Sequence, residues 1–199
     1  MGRCLLAATV ALPMLLALGA RAAYSHGDHD HHEKGALKRS VKTFSVPRVA
    51  LVRGDAATVD FSAELQDSRP VYLNFIYTSC TTVCPVMSQV LAQLQEALGK
   101  DRDKVLMMSV SIDPEFDTPE RLGAYARQFE AGPQWRFYTG TLDASIAIQR
   151  AFGVYTRDKM GHPVATFYRP APERPWVRID GFATPDDLER EYRSEAAEH

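Results

Sequence analysis

The sequence predicts an α/β sandwich in which helices flank a mixed β-sheet. Two continuous apolar runs, Val71–Tyr77 and Val105–Ile112, have the composition of strands that are buried on both faces. A segment with helical spacing of its apolar residues lies between them, and strand-like and helix-like segments then alternate to the end of the chain. Such alternation is typical of one sheet whose strands are joined by helices.

Shorter signals predict the remaining elements. Val49–Val52 and Thr58–Phe61 are β-prone runs on either side of a turn at Gly54, so we expect an N-terminal β-hairpin beside the main sheet. After the second buried strand we predict a helix, a strand, a helix, a hairpin and a final helix: Thr118–Phe129, Trp135–Tyr138, Asp143–Phe152, Val164–Tyr168 with Trp176–Ile179, and Thr184–Arg193. The 199-residue length suits one domain.

The first 22 residues have the features of a leader for export. Arg3 gives a positive start, Cys4–Ala20 is almost wholly apolar, and residues 20–22 form an A-x-A cleavage pattern. We therefore predict a signal peptide over residues 1–22 and a soluble, periplasmic mature protein. The alternative is an anchor formed by the uncleaved segment, although an apolar stretch broken by Pro13 and Gly19 is short for spanning a membrane.

Residues 23–36 have no apolar periodicity and are predicted to form a disordered tail. Four histidines lie there among acidic residues and glycines: His26, His29, His31 and His32. The tail is either a segment that scavenges copper or zinc for the core, or a solvated segment with incidental metal affinity. The globular domain is then expected over residues 37–199.

The charge balance argues against some classes of partner. The net charge is −2, and it becomes −4 without residues 1–22, which contain Arg3 and Arg21 but no acidic residue. A chain of this charge has no electrostatic attraction to nucleic acid or to an anionic membrane surface. We expect no nucleic-acid partner, and membrane contact only through a partner or an uncleaved leader.

Cys80 and Cys84 are the cysteines that remain outside the leader. They follow the first buried strand and precede a helix in which Pro85 fits the first position and Gly99 ends the apolar pattern. Their spacing places both side chains on one face, and a helix N-terminus favours thiolates. The pair suits metal binding or dithiol redox chemistry. A structural disulfide would close too short a loop to stabilise much.

Soft thiolates select copper(I) or zinc, and an added imidazole suits copper in both oxidation states or zinc. His162 is the single histidine of residues 37–198, and it directly precedes a predicted strand. The other candidate donors are the tail histidines, the terminal His199 and the softer Met160. A lone loop histidine is more often simply solvated, so the residues alone leave this ligand open.

Two segments resemble the Sco/SenC family of copper chaperones. Residues 75–88 read FIYTSCTTVCPVMS and residues 109–120 read SVSIDPEFDTPE, and the likeness extends in element order over about Val49–Phe182. The resemblance implies a thioredoxin-like fold with an N-terminal hairpin. It also implies a role in maturing the binuclear copper centre of cytochrome c oxidase.

By position, the resemblance implies that Cys80 and Cys84 are thiolate ligands of copper, as Cu(I) or Cu(II), and that His162 is the imidazole ligand. The implied partner is the copper-receiving subunit of cytochrome c oxidase. Another copper chaperone or a thiol reductant would be a further partner.

The same resemblance makes Asp113 an acid near the metal, although a residue before proline also fits a turn. The chain departs from the family pattern around the histidine. The family usually has Asp-His-Ser or Asp-His-Thr there, whereas this chain has Gly161 before His162 and Pro163 after it. The departure removes a neighbouring carboxylate.

Two functions compete for the cysteine pair, so whether the protein is an enzyme stays open. One is a metallochaperone that binds copper through two thiolates and one imidazole. The other is a thiol-disulfide oxidoreductase, with Cys80 and Cys84 as its redox pair, that keeps cysteines of the oxidase reduced. A spacing of three residues rather than two favours metal handling. A peroxidase, suggested by Thr81 three residues before Cys84, and a plain binding module are weaker alternatives.

Overall fold

The computed structural model describes residues 37–196, with side chains as far as Ser194. The strands are β1 (Lys38–Lys42), β2 (Ala50–Arg53), β3 (Thr58–Asp60), β4 (Val71–Ile76), β5 (Leu106–Ser111), β6 (Trp135–Gly140), β7 (Ala165–Arg169) and β8 (Trp176–Asp180). The α-helices are α1 (Phe61–Glu64), α2 (Val83–Leu98), α3 (Pro119–Gln128), α4 (Leu142–Ala151) and α5 (Pro185–Ala196), and 3₁₀ helices cover Gly99–Lys104 and Lys159–Gly161. The predicted α/β sandwich with a mixed sheet is confirmed.

The strands form one sheet in the order β1-β8-β7-β4-β5-β6-β2-β3. At its centre β4 pairs in parallel with β5 and antiparallel with β7. Every side chain of β4 and β5 is buried, as the apolar runs predicted. Because β4 and β5 are parallel, their carboxyl ends lie at the same end of the sheet, and β7 begins at that end. The loops at this end of the sheet carry the predicted site.

The predicted N-terminal hairpin is also confirmed. β2 and β3 pair antiparallel, and β2 joins the sheet through β6. Gly140 allows this approach, because a Cβ there would lie 2.8 Å from the side chain of Leu51. Phe61 differs from its predicted strand position. It starts α1, since the side chain of Asp60 accepts a hydrogen bond from the backbone N–H of Ala63 and caps the helix.

Strand β1 was not predicted; it pairs with β8 at the edge of the sheet opposite the hairpin. Its residues are mostly charged and exposed, so they show no alternation of apolar and polar side chains. Backbone pairing with β8 makes this segment a strand, and that pairing depends on a partner more than 130 residues away in the chain.

Helix α2 corrects one expectation. It begins at Val83 after an N-cap at Thr82, so Pro85 is its third residue and not its first. Proline is tolerated there because the first backbone N–H groups of a helix have no partner within the helix. The predicted end is confirmed, since the helix stops at Leu98 and Gly99 follows with a φ of 53°.

Among residues 37–196, no helix has both the length and the apolar character needed to cross a membrane. The predicted signal peptide and histidine-rich tail, residues 1–36, lie outside the described residues. The boundaries predicted for them therefore remain predictions.

Replacing Tyr72 with Phe tests how α5 is held on the sheet. The buried hydroxyl of Tyr72 donates a hydrogen bond of 2.7 Å to the backbone carbonyl of Leu188. Phenylalanine cannot make this hydrogen bond, so we expect the free energy of unfolding to fall by about 1 kcal/mol in urea titrations. Tyr155→Phe is the control at a half-buried tyrosine and should change the value by less than about 0.5 kcal/mol. Equal effects of the two variants would contradict this.

Candidate metal centre

The two thiols lie where β4 gives way to α2. After Ile76 the chain turns, and the backbone N–H of Cys80 donates to the carbonyl of Tyr77 at 3.1 Å. Cys84 is the second residue of α2. Both cysteines are buried free thiols. Cys80 therefore precedes the helix, and Cys84 lies within its first turn.

Cys80 has the more acidic of the two thiols. Burial alone would raise its pKa, but backbone N–H groups of Cys84 and Thr82 and the side chains of Cys84 and Tyr77 outweigh burial and lower the pKa to about 7. The N–H of Cys84 lies 3.4 Å from the Cys80 sulfur, and the Thr82 hydroxyl lies 3.8 Å from it. Cys80 is thus substantially a thiolate at neutral pH.

Cys84 behaves in the opposite way. Burial raises its pKa to about 12, and the sulfur of Cys80 and the negative charge of Asp117 act in the same direction. Cys84 therefore keeps its proton at neutral pH while Cys80 loses its own. The pair combines a nucleophilic thiolate with a protonated thiol four residues later.

His162 lies between the 3₁₀ helix Lys159–Gly161 and β7, as predicted for a loop next to a strand. Its side chain is not solvated, because only 9% of the residue is exposed. Its Nδ1 atom is buried and has no hydrogen-bond partner. Burial lowers the pKa of the imidazole to about 4. The ring is neutral at pH 7, which is the form that binds metals.

Cys84 and His162 line the same narrow cavity, together with Asn74, Phe75, Val83, Met87, Pro163, Val164 and Ala165. The structure therefore places Cys84 next to Cys80, and Cys84 shares a cavity with His162. In the part of the chain that the structure describes, no three His, Cys, Asp or Glu side chains already form a group that could hold a metal ion. The three predicted ligands are neighbours, but they are not gathered around one point.

Copper suits these donors. Besides Cys84 and His162, the cavity is lined by Asn74 and by apolar side chains. Two sulfurs and one neutral imidazole are the soft and borderline ligands that copper prefers. The residues present therefore fit the metal that the sequence resemblance implies.

Asp117 has a role at the site that was not predicted from the sequence. This side chain is fully buried and accepts hydrogen bonds from the hydroxyl and backbone N–H of Thr78 and from the hydroxyl of Ser111. Asp117 therefore connects two parts of the site: the turn before Cys80 and the carboxyl end of β5. The available signal was weak, because Asp117 precedes Thr118 and Pro119 and looks like part of a helix start.

Asp113 and Met160 lie at the outer side of the site. The carboxylate of Asp113 pairs with Lys159 at 2.5 Å, in the segment that leads to His162. Met160 is 69% exposed, and its sulfur accepts a hydrogen bond of 3.3 Å from the hydroxyl of Tyr77. The tail histidines and His199, the other candidate donors, lie outside the described residues.

The pKa difference between the thiols predicts selective alkylation. With iodoacetamide, we expect the modification rate of Cys80 to rise with a midpoint near pH 7, because the thiolate is the reacting form. Cys84 should stay largely unmodified up to about pH 9, since its pKa lies near 12. Peptide mass spectrometry separates the two sites. A Cys80 midpoint above about pH 8.5, the ordinary value of a thiol, would contradict the assignment.

Asp117→Asn tests the anchoring carboxylate. The change replaces one charged acceptor with an amide that presents N–H to donors, so we expect the free energy of unfolding to fall by about 2 kcal/mol. The pKa of Cys84 should also fall, because a negative charge near its sulfur is removed.

Asp113→Asn is the matched control for this variant. Its partner Lys159 is largely exposed, so the loss should stay below about 1 kcal/mol in the same urea titration. Equal losses for the two variants would show that Asp117 has no special role.

Comparison with known proteins shows the family of this chain. The family model described as SCO1/SenC matches residues 50–168, which is more than half of the chain. The SCO1 protein homolog of Bacillus subtilis is 35% identical over 74 residues, covering 37% of this chain and 38% of the relative. The chain spans about half or less of the length of the first curated relatives that it matches.

Solved structures share the fold. A SCO1/SenC family lipoprotein from Bacillus anthracis superposes with a TM-score of 0.68 at 22% identity, over 79% of this chain and 98% of that protein. Bradyrhizobium japonicum ScoI with copper bound gives a TM-score of 0.64 at 24% identity, over 75% of this chain and 99% of that one. The predicted thioredoxin-like fold is confirmed by these neighbours. With the family model matched across β2 to β7 and with its cysteine pair at the end of β4, the chain belongs to the SCO1/SenC family.

Proposed function

We propose that the protein binds copper through Cys80, Cys84 and His162 and passes it to the copper-receiving subunit of cytochrome c oxidase. The observation that carries this proposal is the buried Nδ1 of His162, which has no hydrogen-bond partner and lies in the cavity that Cys84 also lines. Buried polar atoms are normally satisfied, so a neutral imidazole nitrogen without a partner is available to bind a metal ion. Family membership and the copper-bound ScoI of Bradyrhizobium japonicum support copper as that ligand.

The proton states of the three donors suit a cargo site. Cys80 is substantially ionised at neutral pH and His162 is neutral, so two donors are ready to bind. Cys84 must lose its proton when copper binds, and its raised pKa opposes this step. Copper is thus held less tightly than by two preformed thiolates. A partner with soft ligands can then take it by ligand exchange.

Transport to the periplasm is part of the same proposal. It rests on the apolar leader over residues 1–22, with membrane anchoring as its alternative. Another copper chaperone would supply the metal, and a thiol reductant would return an oxidised Cys80–Cys84 pair to the dithiol state.

The pKa difference between the thiols favours thiol-disulfide exchange as a second function. In that reaction the Cys80 thiolate attacks one sulfur of a target disulfide, and the other target sulfur leaves as a thiolate. Cys84 then loses its proton and attacks the Cys80 sulfur, which releases the second target thiolate. The target gains two electrons and the protein retains a Cys80–Cys84 disulfide. The oxidase cysteines would be left reduced and able to accept copper.

Copper titration of the reduced full chain separates the two functions. We expect a saturable thiolate-to-copper(II) charge-transfer band at one copper per chain, because two sulfurs and one imidazole form a single site. Histidines elsewhere in the chain do not produce this band. His162→Ala should abolish or shift the band, whereas the control Met160→Ala should leave it unchanged, since Met160 is exposed. Circular dichroism verifies that both variants fold.

The opposite result would favour exchange chemistry. If copper oxidises the dithiol without a stable band, and His162→Ala behaves like the parent protein, the copper site is wrong and the oxidoreductase function takes its place.

A further inference from the structure

A second cavity lies at the end of the sheet opposite the thiols. Arg169, at the end of β7, pairs with Val71 at the start of β4, whereas Cys80 lies beyond the other end of β4. The length of β4 alone separates the two places by roughly 17 Å. The cavity has a volume of about 730 Å³, which is within the range of small-molecule sites. It is therefore distinct from the cysteine site.

Arg169 is the unusual residue of this cavity. Only 5% of it is exposed, although arginine is almost never buried without an ionic partner. One Nη atom donates to the backbone carbonyl of Leu65, and the guanidinium lies 4.9 Å from the ring centre of Trp176. Its Nε atom is buried and has no acceptor. Within the part of the chain that the structure describes, no carboxylate forms an ion pair with this guanidinium.

The buried guanidinium of Arg169 therefore has no counter-ion among the described residues. Arginine cannot lose its proton under ordinary conditions, so the charge remains when the side chain is buried. A buried charge without a partner is strongly unfavourable, and a carboxylate that pairs with the guanidinium relieves this. The cavity supplies the room for such an anion next to Arg169.

The lining of the cavity restricts the kind of anion. Phe44, Leu65 and Trp176 form apolar walls, which favour a ligand with an apolar body. Three arginines line the cavity with two acids, Asp60 and Glu173, so the lining carries a net charge of only one positive unit. That balance suits a single negative charge and disfavours a doubly charged ion such as phosphate.

We propose that this cavity binds a small organic monocarboxylate, with its carboxylate on Arg169 and its apolar body against Phe44 and Trp176. The site lies away from the cysteines and does not depend on the copper function. Glu173 weakens the binding because it places a negative charge near the ligand.

Benzoate is a suitable probe, and the two tryptophan indole N–H signals of the ¹⁵N-labelled full chain report its binding. We expect a saturable shift of the Trp176 signal. Trp135 is the internal control, because its indole donates to Ser109 within the core and should not shift. Benzamide, the neutral isostere, should bind at least tenfold more weakly, and inorganic phosphate at equal ionic strength should produce no saturable shift.

Two variants complete the test. Arg169→Met should weaken benzoate binding at least tenfold, and circular dichroism verifies that the variant folds. Glu173→Gln should bind benzoate more tightly than the parent protein. The proposal is overturned if Trp176 does not respond, if phosphate binds as well as benzoate, or if Arg169→Met binds benzoate unchanged.

Discussion

The carboxylate of Asp117 holds together the end of the sheet on which the thiols depend. It is fully buried, and it gathers donors from Thr78, just after β4, and from Ser111 at the end of β5. Hydrogen bonds to a buried carboxylate are stronger than those between neutral groups. The turn that begins at Thr78 is therefore fixed before the chain reaches Cys80. The position of Cys80 relative to the start of α2 follows from this attachment.

That position gives the two cysteines different properties although they lie four residues apart. The sulfur of Cys80 accepts hydrogen bonds from backbone N–H groups at the start of α2, and these bonds stabilise its thiolate. Cys84 lies inside the helix, deeper in the protein, and the negative charge of Asp117 further disfavours its ionisation. The same carboxylate thus positions one thiol and keeps the proton on the other. Metal binding and disulfide exchange both require that proton to leave, so one group affects the energetics of both reactions.

Much of the fold and part of the site could be predicted from the sequence. The two central strands are buried on both faces, so their composition alone identifies them, and the cysteines follow directly from the first. His162 stood out because it is the single histidine of residues 37–198. Its burial and unpaired nitrogen were not predictable, since they arise from packing against Phe75, which is 87 residues away in the chain.

Other features could not be predicted, for identifiable reasons. Asp113 and Asp117 lie four residues apart in one loop, and no local pattern indicates that Asp117 points inward while Asp113 pairs with Lys159. Arg169 ends a strand where an exposed side chain is the usual outcome, and its burial comes with tertiary contacts to Trp176 and to the carbonyl of Leu65. These are tertiary effects, and a single sequence does not carry them in its local periodicity.

The two edge strands of the sheet affect how readily the protein aggregates at high concentration. An edge strand offers unpaired backbone groups to which another chain can add, which is a route to aggregation. Here one edge is β1, which carries Lys38, Arg39 and Lys42, and the other is β3, which is only three residues long. Repulsion between like charges at the first edge and the shortness of the second oppose strand addition. The sheet thus resists the addition of a further strand at both of its edges.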